Sequence, residues 1–236
     1  MHIRYGVPCL LAVVGAMVLM NQASAQAANK VVVIPLNSGA GGARIPTVTS
    51  AGQVWMDRNL GALRVAGSKS DSLAYGWLYQ WGRPADGHES RTSPNTPVNS
   101  LSAGDVPGHG DFIPVTLSPY DWRAGQNDNL WQGVSGVNNP CPAGFRLPTE
   151  TEWETERASW SSNEASGAFA SPLKLPVAGY RSRSDGSLLN LGFIGWYWSA
   201  TVTGSYSSRS LYFVSDSASI FSSGRAYGFS VRCIED

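Results

Sequence analysis

His88, His109, a scatter of loop carboxylates and a few cysteines are the residues of this chain whose types could do chemistry. His88 and Glu89 stand in the run DGHE, and His109 and Asp111 in GHGD. Folded together, these four would offer the nitrogen and carboxylate ligands of a zinc site. Both histidines sit among glycines, without the spacing that places two ligands on one helix face. The expectation is therefore loop histidines and no metal. No G-x-S-x-G turn points to a hydrolytic serine. Oxygen ligands for a hard cation occur at Asp57, Asn59, Asp105, Asp111, Asp121, Asn127, Asp128 and Asn129, in no EF-hand spacing. No cofactor is expected, with calcium left open.

The cysteines depend on what is exported. Residues 1–27 carry Arg4, an apolar core over 5–20 and small residues over 23–27, which is the pattern of a cleaved secretory signal. Cys9 falls inside that core and lacks the small residue before it that a lipoprotein site needs. Cys141 and Cys233 remain, and an oxidising compartment favours their pairing over two free thiols. Residues 28–46 hold the run VVVIPL and a glycine-rich linker, and 47–236 read as one domain. Losing Arg4 from an even balance of 17 basic and 17 acidic residues leaves a net charge near −1. That excludes a cationic surface for nucleic acid or membrane. Charged residues are 14% of the chain, against about 25% in typical domains. Polarity falls instead to Ser, Asn, Thr and Gly, beside nine Trp and nine Tyr.

The elements that must position these residues are few. Pro148 cannot lie inside a helix, and Thr149 with Glu152 three residues on forms a capping box, so a helix begins at about Thr149 and continues through Trp153, Glu156 and Arg157. Residues 47–56 read as a hairpin. The run 75–82 is dense in aromatic residues and is expected to be buried. Residues 83–139 are rich in Pro, Gly, Asn and Asp, a long irregular stretch that Trp122 and Trp131 argue is packed. Strands are expected over 195–200, 209–215, 218–221 and 226–234, giving an α+β domain with few helices and a small antiparallel sheet.

Five segments in order, VWMDRNLGA (54–62), YGWLYQWGR (75–83), NPCPAGFRLPTETEW (139–153), GWYWSAT (195–201) and GFSVRC (228–233), closely resemble the Fibrobacter succinogenes major paralogous domain. That family is similar to the formylglycine-generating-enzyme and sulfatase-modifying-factor group. The resemblance covers roughly 47–236. It implies a C-type-lectin-like fold with long loops, and it supports the pairing of Cys141 with Cys233. The oxidases of the related group use a pair of C-terminal cysteines with copper; here Cys233 stands alone, so that activity is not carried over. The calcium-binding tripeptides of sugar-binding C-type lectins, EPN or QPD followed by WND, are also absent.

Recognition is the function expected instead. Residues 201–224 hold nine serines interleaved with larger side chains, a palette that paratopes use. Tyr206, Ser208, Arg209, Tyr212, Asp216, Ser219, Phe221 and Arg225 are the expected ligand contacts. Strand alternation sets a limit, because Leu211 and Phe213 share one face and Tyr212 and Val214 the other, so one set belongs to the core. Fold analogy adds that variable proteins of diversity-generating retroelements display such residues near their C-termini. The reading is an exported, non-catalytic adhesin or recognition protein, periplasmic, surface-bound or extracellular, with a glycan or protein ligand. The alternatives are a formylglycine-generating-enzyme-like enzyme or accessory, and a structural component of a cell-surface assembly.

Overall fold

Thr149 caps a helix as its spacing predicts. In the computed structural model, which describes residues 45–204 and 207–236, its side chain accepts from the Glu152 N–H while Glu152 reaches back to the Thr149 N–H. In chain order the elements are β1 (Thr47–Ser50), β2 (Gln53–Met56), β3 (Tyr79–Gln80), β4 (Phe145–Arg146), α1 (Glu150–Ala158), α2 (Ala165–Ala170), β5 (Tyr180–Arg181), β6 (Leu188–Leu189), β7 (Gly195–Thr203), β8 (Ser207–Phe213), β9 (Ala218–Gly224), β10 (Gly228–Phe229) and β11 (Ile234–Glu235). They form antiparallel sheets in the orders β1-β2-β11-β4, β3-β10-β5-β6 and β7-β8-β9. The α+β character with few helices is as expected. Residues 1–27, expected to be an export signal, most of the 28–46 stretch and Tyr206 lie outside the described residues, among which no helix is long and apolar enough to cross a membrane.

The β7-β8-β9 sheet stands between two cores because its side chains alternate. Tyr197, Leu211, Phe213 and Ala218 join Trp55, Trp153 and Trp160 on the helix side. Trp198 points the other way, into a core with Trp81, Trp122, Trp131, Phe229 and the cysteines. Most of the indole N–H groups in these cores donate to carbonyls: Trp153 to Trp198 O, Trp198 to Tyr79 O, Trp122 to Trp81 O. Buried aromatic bulk and satisfied donors thus coincide.

Cys141 and Cys233 form a disulfide, with Cα atoms 5.9 Å apart across a separation of 92 residues. Closing a loop of that length stabilises the fold by about 4 kcal/mol on the chain-entropy account. The long stretch 83–139 contributes isolated bridges, Asn95 with Phe112 and Ser102 with Arg123, and no strand. It is held down by Trp122 and Trp131, both fully buried. Arg181 adds to this, its guanidinium lying over Phe112 and donating to Ser90 O, Ser93 O and Asn95 Oδ1.

One reading is corrected. The strand expected over 226–234 is divided between β10 and β11, which belong to different sheets. Between them Ser230 pairs with Tyr197 in parallel, and Arg232 turns inward to Asn59 Oδ1 and Leu173 O. The stretch 159–171 contains α2. Gly167 permits that helix, since a Cβ there would run into Ser162 O.

Candidate functional site

A groove of about 500 Å³ opens where the outer face of β7-β8-β9 meets the turns after β5 and β9. Its floor follows from register. Trp196 lies opposite Tyr212 across β7 and β8, and Ser210 opposite Phe221 across β8 and β9, so Trp196, Tyr212 and Phe221 share one face. Their rings touch, Trp196 to Tyr212 at 4.6 Å and Tyr212 to Phe221 at 5.3 Å. Trp196 also stacks on buried Phe229, centroids 4.8 Å apart and planes within 13°. Tyr227 stacks on Phe229 from the other direction, and Tyr180 meets Tyr227 edge-on at 5.9 Å. Burial raises the Tyr180 hydroxyl above the usual tyrosine pKa, with Tyr227 adding to it, so it stays a neutral donor.

The far wall is Tyr120 with Arg183. The guanidinium lies 3.7 Å above the Tyr120 ring and 5.5 Å from that of Tyr227. One amino group donates to Val115 O at 3.0 Å. Tyr120 is itself fixed, its carbonyl accepting from Ala226 N–H and its Cβ lying against Gly224, where a side chain would collide. Asn190 and Ser222 complete the rim. Among the described residues, Arg183 is the only charged side chain lining the groove, and no carboxylate comes within 4.0 Å of it.

Of the expected contacts, Tyr212 and Phe221 line this groove. Ser219 and Asp216 are exposed, on the groove face and at the β8-β9 turn. Three others lie outside the groove. Ser208 is fully buried and accepts from Arg225 Nε. Arg225 is 1% exposed; it pairs with Asp128, lies 3.7 Å from Asp121 and covers the Trp81 ring at 4.3 Å. Arg209 points to the helix side, spanning both Glu150 oxygens and Ser222 Oγ. Each reads as a surface contact from composition because a buried arginine and an exposed one look alike in sequence. Tyr120, Tyr180, Arg183, Trp196 and Tyr227 were missed. They come from separated segments, and only the outward register of Trp196 beside Tyr212 gave a local signal.

The suspected metal ligands fold differently. Asp86, His88 and Glu89 have ligand-type atoms within 4.8 Å of one another, while His109 and Asp111 supply main-chain carbonyls to Arg83. His88 is fully buried. Its Nδ1–H donates to Asp86 Oδ1 at 2.6 Å, and its Nε2 accepts from the Gln80 N–H at 3.0 Å. Burial lowers its pKa to about 4 despite the Asp86 hydrogen bond. The Asp86 contact is thus a hydrogen bond from a neutral imidazole. Asp86 Oδ2 takes two bonds from Arg83, and although burial pushes its carboxyl up, His88 and Arg83 together hold it below the usual range. Both His88 nitrogens are spent, so a cation would have to break a buried bond to reach them.

Compared with known proteins, the chain matches no family model, no curated protein and no solved structure.

Proposed function

We propose that this is an exported, non-catalytic recognition protein with a C-type-lectin-like domain of the Fibrobacter succinogenes major paralogous kind. Its binding surface is the aromatic groove over β7-β8-β9, and its ligand is a glycan or a protein surface. The observation that carries the reading is the cluster of half-exposed rings, Trp196, Tyr212 and Phe221 on the floor and Tyr120 and Tyr227 at the side, in one concavity with a single cation. Rings fixed by their neighbours offer contact area at small entropic cost, which is what binding sites favour. The short sheets, long irregular stretch and Cys141–Cys233 bridge accord with the family resemblance.

The test is a glycan and surface-protein binding screen of the mature protein beside Trp196→Ala and Tyr212→Ala variants. The reading expects a ligand whose affinity falls at least about 30-fold in Trp196→Ala, the effect of a central aromatic anchor. A ligand bound equally by wild type and both variants places recognition elsewhere on the molecule.

A further inference from the structure

We infer that the groove takes a saccharide bearing a carboxylate, with Arg183 as the residue that receives it. This rests on the groove being the binding surface. Arg183 is a cation held ready. The Tyr120 ring 3.7 Å beneath it and the Val115 carbonyl at 3.0 Å fix the guanidinium plane. One amino group is spent on Val115, and the rest of the planar fork has no protein acceptor within hydrogen-bonding distance among the described residues. The buried arginine forks nearby are used differently: Arg225 has Asp128, and Arg181 has Gly186 O, Ser90 O, Ser93 O and Asn95 Oδ1. An arginine fork matches a carboxylate in two parallel hydrogen bonds, and among the described residues no carboxylate within 4.0 Å already occupies this one. The occupant therefore brings the negative charge.

The sheet offers no open edge to an added peptide strand, and the charge and rings of the groove suit a sugar acid. A peptide that extends a sheet adds to an open edge; β7 is bridged on its outer side to Gly179 and Ser230, which leaves β9. The Val214 N–H donates to Ser217 O across the hairpin turn, so ladder alternation directs the backbone groups of residues 218, 220, 222 and 224 outward. Ala218 O is taken by Asn163 and Arg157, and Tyr120 lies against Gly224. Only Ile220 and Ser222 are left, too short an edge for an added strand. The rings instead stand on the sheet's face, where a pyranose can lay its C–H face on Trp196 or Tyr212. Its hydroxyls then reach Asn190 at the rim, and its carboxylate reaches Arg183.

The experiment is a glycan array holding uronate- and sialate-bearing oligosaccharides, each beside its carboxyl-reduced counterpart. It is probed with wild type, Arg183→Gln, Arg183→Lys and Trp196→Ala, with folding of each checked by thermal melting. Binding to a carboxylated member is expected, falling about 10- to 100-fold on carboxyl reduction and by a similar factor in Arg183→Gln. Arg183→Lys restores part of it, because the charge returns without the fork. Equal binding to acid and reduced forms, lost in Trp196→Ala, overturns the carboxylate assignment while leaving the groove as the site. Binding to peptides and to no saccharide overturns the sugar assignment. Saccharide binding untouched by Trp196→Ala overturns both this inference and the reading beneath it.

Discussion

Two places in this molecule gather the groups from which sites are made, and they differ in what has been left over. Around Arg83, Asp86 and His88 lie a histidine, carboxylates and a guanidinium within hydrogen-bonding reach. There the protein consumes its own chemistry: His88 spends both nitrogens, Asp86 both oxygens, and Arg83 bonds to Gln80 and to two main-chain carbonyls as well. In the groove the groups are plainer, yet rings stand half exposed and Arg183 meets no acid. A site is marked by unmet capacity more than by reactive residue types. The buried cluster ties 80–89 to 109–111, and its value is structural.

The comparison breaks most easily at Asp86. Asp86→Ala leaves Arg83 a buried cation without its carboxylate and His88 without an acceptor. A loss of about 3–5 kcal/mol in unfolding free energy is expected by denaturant titration. Ligand affinity of the folded fraction should be unchanged. A stable Asp86→Ala protein that has lost its ligand would move function into the cluster.

Acid separates two groups whose effects oppose each other. His88 titrates at about 4 in the folded protein against 6.5 ordinarily. As pH falls from 6.5 to 4 the unfolded chain takes up a proton the native state refuses, and stability is lost, up to about 3 kcal/mol. Asp121 runs the other way. Burial raises its carboxyl from 3.8 to about 6, outweighing the Arg123 N–H and the Arg225 guanidinium. The native state therefore binds a proton first, and stability rises by a similar amount as pH falls from 6 towards 4. The wild-type contribution of this pair is nearly flat across that window. His88→Gln should leave a protein that gains stability on acidification, and Asp121→Asn one that loses it, both read from melting temperature against pH. Parallel profiles in the two variants would contradict these assignments.

The groove sits below these in energy. Trp196→Ala should cost at least about 2 kcal/mol of binding. Its cost in stability should be smaller than that of Asp86→Ala, since Trp196 is only partly buried and its removal strands no buried charge, although its ring meets Tyr212, Phe221 and Phe229. Isothermal titration beside chemical denaturation separates the two effects.

What could be read in advance followed the range of the interactions. The capping box at Thr149 is local, and its residues name it. The disulfide needed only a count of cysteines, and burial of Trp122 and Trp131 only the cost of wet indole. The strands of 195–224 were legible from alternation, though β7 and β9 run further than expected. The groove was half legible: Tyr212 and Phe221 lie in one hairpin, but Tyr120, Arg183 and Tyr227 arrive through turns whose course is fixed by Arg181, Gly224 and main-chain bonds across the fold. The misjudged arginines show the same limit. Nothing beside Arg225 in the chain announces Asp128, 97 residues away, and nothing beside Arg209 announces Glu150, 59 residues away.

Arg209 gives the mildest test of the distinction between spent and unspent groups. It lies on β8 three residues from Tyr212, and composition alone made it a ligand anchor. Alternation puts it on the opposite face, where it spans Glu150 at 3.0 Å beside the first turn of α1. Both partners are about a third exposed, so the pair contributes about 0–1 kcal/mol to stability. Arg209→Ala should shift the melting temperature by a few degrees at most and leave affinity for the groove ligand unchanged, whereas Arg183→Gln lowers that affinity and leaves the melting temperature nearly as it was. If Arg209→Ala also weakened binding tenfold, the ligand would have to reach around β9 to the helix side. The line drawn between the arginines the fold has paired with acids and the unpaired one in the groove would then fail.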